Sequence, residues 1–123
     1  MIRIGTDIVE VAKISSAIKD LGSDFIERVY TVSEIRKIDL SEPNYERASG
    51  FWAAKEAAVK AIGYGYRDGI KFQDIEIVHD DYGCPSLIFD GRMRDILTEH
   101  GIVSSSLSIS HCSAYAMATV IYY

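Results

Sequence analysis

The segment that most restricts how this chain can fold is Phe51 to Lys60, Phe-Trp-Ala-Ala-Lys-Glu-Ala-Ala-Val-Lys. Seven of its residues are Ala, Lys or Glu, side chains that favour a helix. Trp52, Glu56 and Lys60 recur at every fourth position and so share one helical face. That face, read as the inner one, carries an acid and a base among apolar residues. A purely structural helix has little use for it. A site that holds a metal ion next to a phosphate does. The plainer alternative is an exposed Glu56–Lys60 ion pair, worth roughly 0.2–0.5 kcal/mol. A second element, Gly5-Thr6-Asp7, bears on the choice by offering another carboxylate.

Pro43 breaks the chain ahead of this helix, Asn44 caps it, and the glycines Gly63 and Gly65 end it. Upstream, Ile2 to Val9 reads as a buried strand whose end carries Thr6-Asp7, and Glu10 opens a helical pattern. Val11, Ile14, Ala17, Ile18 and Leu21 recur at helical spacing, with Gly22 as the stop. Ser23 or Asp24 is placed to cap a short helix over Phe25–Tyr30. Thr31 with Glu34 forms a capping box, so a third helix starts at Val32. Tyr64 to Lys71 reads as a loop.

The second half changes period. Ile75 to His79 and Ser86 to Phe89 read as strands about the turn Asp80-Asp81-Tyr82-Gly83. Gly91 to His100 is helical. Val103–Ser110 and Ala114–Tyr122 form a hairpin around His111-Cys112-Ser113. Helices dominate the first half and strands the second, so the class is α+β, with an antiparallel sheet packed on the long central helix. Strand edges that end in Tyr122 and Tyr123 point to self-association.

The chain's 123 residues, 48% of them apolar, match one domain, residues 1–123, with a real core. No window approaches the roughly 18 apolar residues of a membrane span. The N-terminus runs straight into a strand, without the pattern of a signal peptide. Cys84 and Cys112 form neither a disulfide framework nor a zinc motif, which fits a reducing cytoplasm. A net charge of −5 argues against a nucleic-acid footprint. Residues 1–62 hold 9 Lys and Arg against 10 Asp and Glu, and residues 63–123 hold 4 against 8. The N-terminal half can therefore present a local basic surface, with Lys13, Lys19, Arg28, Arg36 and Lys37 as candidates.

If Asp7 and Glu56 converge, they offer two hard oxygen ligands. Magnesium takes one or two carboxylates, with waters and substrate phosphates completing its shell. Lys60 would neutralise a phosphate oxygen. Gly63-Tyr64-Gly65 allows close backbone approach to a bulky ligand. Together these describe a site for a pyrophosphate ester. His111 lies in a turn between strands, where a histidine is ordinarily structural.

The chain resembles the holo-acyl-carrier-protein synthases, the small, single-repeat 4'-phosphopantetheinyl transferases. Seven motifs carry the resemblance in order, nearly end to end: Ile4-Gly5-Thr6-Asp7-Ile8-Val9-Glu10; Phe25-Ile26-Glu27-Arg28-Val29-Tyr30-Thr31; Trp52-Ala53-Ala54-Lys55-Glu56-Ala57 with Lys60-Ala61-Ile62-Gly63-Tyr64-Gly65; Phe72-Gln73-Asp74-Ile75-Glu76-Ile77; Gly83-x-Pro85; Ser108-Ile109-Ser110-His111; and Tyr115-Ala116-x-Ala118. The resemblance implies transfer of the 4'-phosphopantetheine arm of coenzyme A to a serine of apo-acyl carrier protein, with release of 3',5'-ADP, in support of fatty acid biosynthesis. It implies Asp7 and Glu56 as ligands of magnesium, or of manganese in its place, and Lys60 on the diphosphate. Glu56 is also implied as the base for the carrier serine, directly or through a water. Gly63, Gly65, Gly83, Pro85 and His111 fall where the family cradles coenzyme A. A homotrimer with sites at subunit interfaces is implied, His111 serving the neighbour's ligand. Lys13 and Arg28 belong to the surface that meets the acidic carrier.

Two positions depart from the family. Phe51 stands where Arg is common, and Cys84 where Lys is common, so two positive charges expected near the nucleotide phosphates are missing. Arg47, one turn before Phe51, is placed to compensate. Two rival readings stay open: a trimeric carrier-protein or nucleotide-binding module that has lost catalysis, and a magnesium-dependent hydrolase that uses water in place of serine. Retention of Asp7, Glu56 and Lys60 together argues against the first.

Overall fold

A computed structural model describes residues 1–123. The chain runs β1 (Arg3–Glu10), α1 (Val11–Leu21), α2 (Ser23–Val29), α3 (Val32–Ile38), α4 (Tyr45–Ile62), β2 (Ile75–His79), β3 (Pro85–Phe89), α5 (Gly91–Glu99), β4 (Ser105–His111) and β5 (Tyr115–Tyr122). A 3-10 turn, Phe72–Asp74, leads into β2. One antiparallel sheet has the order β1-β5-β4, and β2 and β3 form a separate antiparallel ribbon. The α+β expectation holds, with the strands divided between two sheets.

The boundary signals in the sequence act as expected. Asn44 accepts the Arg47 amide at 2.9 Å and opens α4, and Gly63 closes it in the left-handed region at φ +85°. Thr31 and Glu34 form the capping box of α3. Gly22 ends α1. Neither Ser23 nor Asp24 caps α2, which begins at Ser23 itself without a side-chain cap.

α4 lies across the inner face of the three-stranded sheet, against β1 and β5. Its alanines, Ala53, Ala54, Ala57, Ala58 and Ala61, are all buried. Small side chains there let sheet and helix backbones approach closely. Gly5 is the tightest point: a Cβ on it would overlap the Ala57 carbonyl oxygen and the Ala61 backbone nitrogen.

Three expectations change. The strand at Ile2–Val9 is buried on one face only, with Ile4 and Ile8 62% and 66% exposed on the other. Tyr122 is not an edge residue: it is fully buried, and its hydroxyl donates to the Ala58 carbonyl at 2.7 Å. The face of Trp52, Glu56 and Lys60 is not the inner one. α4 is buried on nearly every side, and this stripe is its most open flank. The innermost charge is instead Lys55, fully buried and paired with fully buried Glu34 at 2.9 Å. Lys55 also donates to the carbonyls of Phe72 at 3.0 Å and Ile75 at 2.5 Å.

Gly5→Ala should lower stability by about 1–3 kcal/mol or more, because backbone atoms cannot move aside as a side chain would. Chemical denaturation of the variant checks this; an unchanged midpoint would mean that β1 does not rest on the α4 backbone.

Candidate active site

Strand alternation puts Asp7 on the same side of β1 as Gly5 and Val9, toward α4. Its carboxylate is 13% exposed and accepts from Lys60 Nζ at 2.9 Å, while Lys60 is 53% exposed. Glu56 sits one turn before Lys60 on the same flank. Burial raises the Glu56 carboxyl above its ordinary range, the Asp7 charge raises it further, and Lys60 opposes both. Asp7, Glu56 and Lys60 therefore meet, as the sequence led one to expect, but the ion pair that forms is Lys60–Asp7 and not Glu56–Lys60. Gly63 and Gly65 follow at the end of α4, both with positive φ.

This donor set can be weighed for a metal. No group of three or more His, Cys, Asp or Glu side chains gathers in the chain. A tetrahedral zinc site has no counterpart here. Two carboxylates beside one lysine leave a net negative charge and two hard oxygen donors. That suits magnesium, which leaves the rest of its shell to water and phosphate.

A second group lies elsewhere. A cleft of 490 Å³ is lined by Lys37, Arg47, Phe51, His79, Gly83, Pro85 and His111, among others. Its floor is pinned by the β2–β3 turn, where Asp80 accepts the amides of Tyr82 and Cys84, each at 2.9 Å. Arg47 donates to the Lys37 carbonyl at 2.8 Å. His79 Nδ1 accepts from Lys37 Nζ at 3.1 Å. Burial lowers the pKa of His79, and the charges of Lys37 and Arg47 lower it further, so the imidazole is held neutral. His111 Nδ1 donates to the Glu46 carboxylate at 2.8 Å.

Of the residues expected around coenzyme A, then, Gly83, Pro85 and His111 line the cleft, whereas Lys60, Gly63 and Gly65 stand with the carboxylates. The two groups occupy opposite flanks of α4, since Phe51 and Lys60 are about half a turn out of phase. They also occupy opposite sheet edges, Asp7 on β1 and His111 on β4. Phe51 is 2% exposed and packs into the core, its ring 6.0 Å from His79. Arg47 does reach the cleft, and Cys84 is exposed beside it. Lys13 and Arg28 are exposed on α1 and α2, outside every ion pair. Sequence reasoning missed His79 as a cleft residue, though its pairing with Pro85 across the hairpin was within reach.

The model of the 4'-phosphopantetheinyl transferase superfamily matches residues 3–120. The holo-acyl-carrier-protein synthase of Verminephrobacter eiseniae is 38% identical over 118 residues, covering 96% of this chain and 90% of that protein. That of Koribacter versatilis is 40% identical over 117 residues, covering 95% and 94%. Among solved structures, the synthase of Neisseria meningitidis superposes with a TM-score of 0.90 at 34% identity, covering 100% of this chain and 99% of that one. The Helicobacter pylori synthase in complex with coenzyme A gives 0.87 at 32% identity, covering 98% and 99%.

The cleft's charges set a pH dependence. A histidine whose folded pKa lies below its unfolded value of about 6.5 contributes stability above that value and loses it as pH falls through the folded pKa. Thermal melts between about pH 7 and pH 5 should therefore show the native chain losing more stability than His79→Gln. Parallel curves would mean that neither burial nor the charges of Lys37 and Arg47 lower the pKa of this imidazole.

Proposed function

The chain belongs to the 4'-phosphopantetheinyl transferase superfamily, and from that premise we infer that it is a holo-acyl-carrier-protein synthase. It transfers the 4'-phosphopantetheine arm of coenzyme A to a serine of apo-acyl carrier protein, giving holo-acyl carrier protein and 3',5'-ADP. The observation that carries this reading is the meeting of Asp7, Glu56 and Lys60 in a chain that the family matches over nearly its whole length. Neither the lapsed binding module nor the hydrolase has such an observation in its favour.

In our reading residues 1–123 form one catalytic domain. The carrier serine oxygen attacks the phosphorus that bears the pantetheine arm. A new O–P bond forms as the bridging P–O bond breaks, and 3',5'-ADP leaves with the electron pair. Glu56 takes the serine proton, directly or through a water. Lys60 sets its ammonium against the pyrophosphate oxygens. Asp7 and Glu56 would hold magnesium, which, when bound, neutralises charge on the pyrophosphate and the leaving group.

The two residue groups at opposite sheet edges support a shared site. We propose that the chain forms a homotrimer in which the β4-edge cleft of one protomer lies beside the β1-edge carboxylates of the next. The outer sheet face supports this. It carries Ile4, Ile8, Tyr115 and Met117, all exposed, with Ile4 opposite Ile121 and Ile8 opposite Met117. An apolar sheet face of this kind marks an interaction surface. His111, Gly83 and Pro85 would then serve coenzyme A with the neighbour's Lys60, Gly63 and Gly65, and Arg47 and Lys37 would supply the charge that Phe51 and Cys84 do not.

The carrier would dock over Lys13 and Arg28. α1 starts directly after β1, so Lys13 lies only six residues beyond Asp7. Such charges chiefly raise the on-rate for an acidic partner. No helix is long and apolar enough to cross a membrane, and both cysteines are free. We place the enzyme in the cytoplasm, serving fatty acid biosynthesis.

Intact mass measurement of apo-carrier protein after incubation with coenzyme A and magnesium tests the reaction. The native chain should add one phosphopantetheine, and Asp7→Ala or Glu56→Ala should slow this by about a hundredfold or more while leaving the fold intact. Near-normal turnover of either variant at saturating magnesium would refute the site.

Assembly has its own test. Light scattering at micromolar concentration should show a trimer. His111→Ala mixed with Asp7→Ala should recover activity that neither has alone, because some interfaces then hold two intact halves. A stable, fully active monomer would refute the shared site.

A further inference from the structure

Only one buried side-chain oxygen or nitrogen in the chain has no hydrogen-bond partner, the hydroxyl of Tyr66. A buried hydroxyl left unbonded is costly and calls for a physical reason. Its position is not slack. The Tyr66 ring stacks on Phe72 with centroids 3.9 Å apart, and Phe72 stacks on Trp52 at 5.1 Å. Trp52 is one turn before Glu56 on the same flank of α4. The Phe72 carbonyl is itself fixed by Lys55 at 3.0 Å. Gly63 and Gly65, with φ of +85° and +67°, turn the chain back after α4 and return Tyr66 to that flank.

The hydroxyl sits in the field of the reaction site. Burial keeps it protonated above all else, and the carboxylates of Glu56 and then Asp7 reinforce this. It is therefore a donor. Neither carboxylate lies within hydrogen-bonding distance of it. Tyr122, which also acts on it, gives its own proton to the Ala58 carbonyl at 2.7 Å. A donor in the field of two carboxylates, with no acceptor in its own chain, is complementary to an oxygen that arrives with a ligand.

We propose that Tyr66 is a substrate-binding residue of this site, its hydroxyl donating a hydrogen bond to a phosphoryl oxygen of the pyrophosphate ester held at Asp7, Glu56 and Lys60. This rests on the functional reading above. Lys60 is 53% exposed, so solvent screens its charge. The Tyr66 hydroxyl is shielded from solvent and preoriented, the condition in which a single donor counts most. It also adds no charge to the site.

Tyr66→Phe removes the oxygen and keeps the ring stack. In calorimetry with magnesium present, its Kd for coenzyme A should rise about tenfold or more, the scale of one hydrogen bond to a charged group. In the carrier assay the KM for coenzyme A should rise likewise, with the KM for carrier unchanged. Its melting temperature should equal or exceed that of the native chain, since an unsatisfied group has gone. A lower melting temperature would reveal a structural partner for the hydroxyl and overturn the proposal. So would unchanged coenzyme A binding in a variant that still modifies carrier. If the native chain itself neither binds coenzyme A nor modifies carrier, the functional reading fails first, and that result is distinct from both.

Discussion

The carboxylate of Glu34 ties three parts of this structure together. One oxygen accepts the Thr31 amide at 2.9 Å and so completes the capping box of α3. The same oxygen pairs with Lys55 of α4 at 2.9 Å, and the other accepts the Ile77 amide of β2 at 2.8 Å. Lys55 uses its remaining donors on the carbonyls of Phe72 and Ile75. Burial pushes the lysine below its ordinary pKa, and Glu34 pulls it back. A fully buried pair of this kind adds little net stability over an apolar substitute, but removing one partner costs about 3–5 kcal/mol. Its consequence is register. It locks α3, α4 and the start of β2 in one arrangement. That fixes the rotation of α4, which presents Glu56 and Lys60 on one flank and Arg47 and Phe51 on the other.

The flanks matter because the sheet is narrow. A three-stranded sheet has one central strand, and here it is β5, so β1 and β4 are both edges. Asp7 on β1 meets only the flank of α4 that carries Lys60. Ile109 and His111 on β4 meet only the cleft on the other side. A small chain with a single long helix can line two half-sites this way, but it cannot fold one onto the other. In the homotrimer proposed above, repetition of the chain around an axis would complete the site, with the exposed apolar sheet face as its contact surface.

Much of this was legible in the sequence because it depended on local chemistry. Thr31 with Glu34, Asn44, Gly22 and Gly63 act within a turn of where they stand, and each marks its boundary as expected. Asp7, Glu56 and Lys60 could be named because their residue types fit one chemistry. What failed required knowing which side of an element is covered. Helical spacing groups Trp52, Glu56 and Lys60 but cannot say that sheet and ribbon bury the rest of α4 and leave this flank open. The same gap hid Lys55, whose neighbour Glu56 has the same kind of sequence surroundings. Ile2–Val9 looked wholly buried because isoleucines on an exposed sheet face read like core. Lys37 and His79 lie 42 residues apart, and only the tertiary fold brings them to 3.1 Å.

Phe51 and Cys84, the two departures from the family pattern, become intelligible in the same terms. A basic residue at position 51 would place a charge where this chain has a fully packed ring against the β2 end. The helix carries a cation one turn earlier, at Arg47, on the same flank. Lys37 approaches from α3, its backbone carbonyl held by Arg47 and its ammonium by His79. Burial lowers the His79 pKa, and the charges of Lys37 and Arg47 lower it further, which leaves the imidazole to accept from Lys37. The cleft thus keeps two positive charges, on helix-borne side chains rather than in the exposed β2–β3 turn. It faces away from a carboxylate pair that carries the opposite sign. In the ring proposed above, complementary charge on opposite edges of one chain would let identical chains close around an anionic ligand with their cations directed at its phosphates.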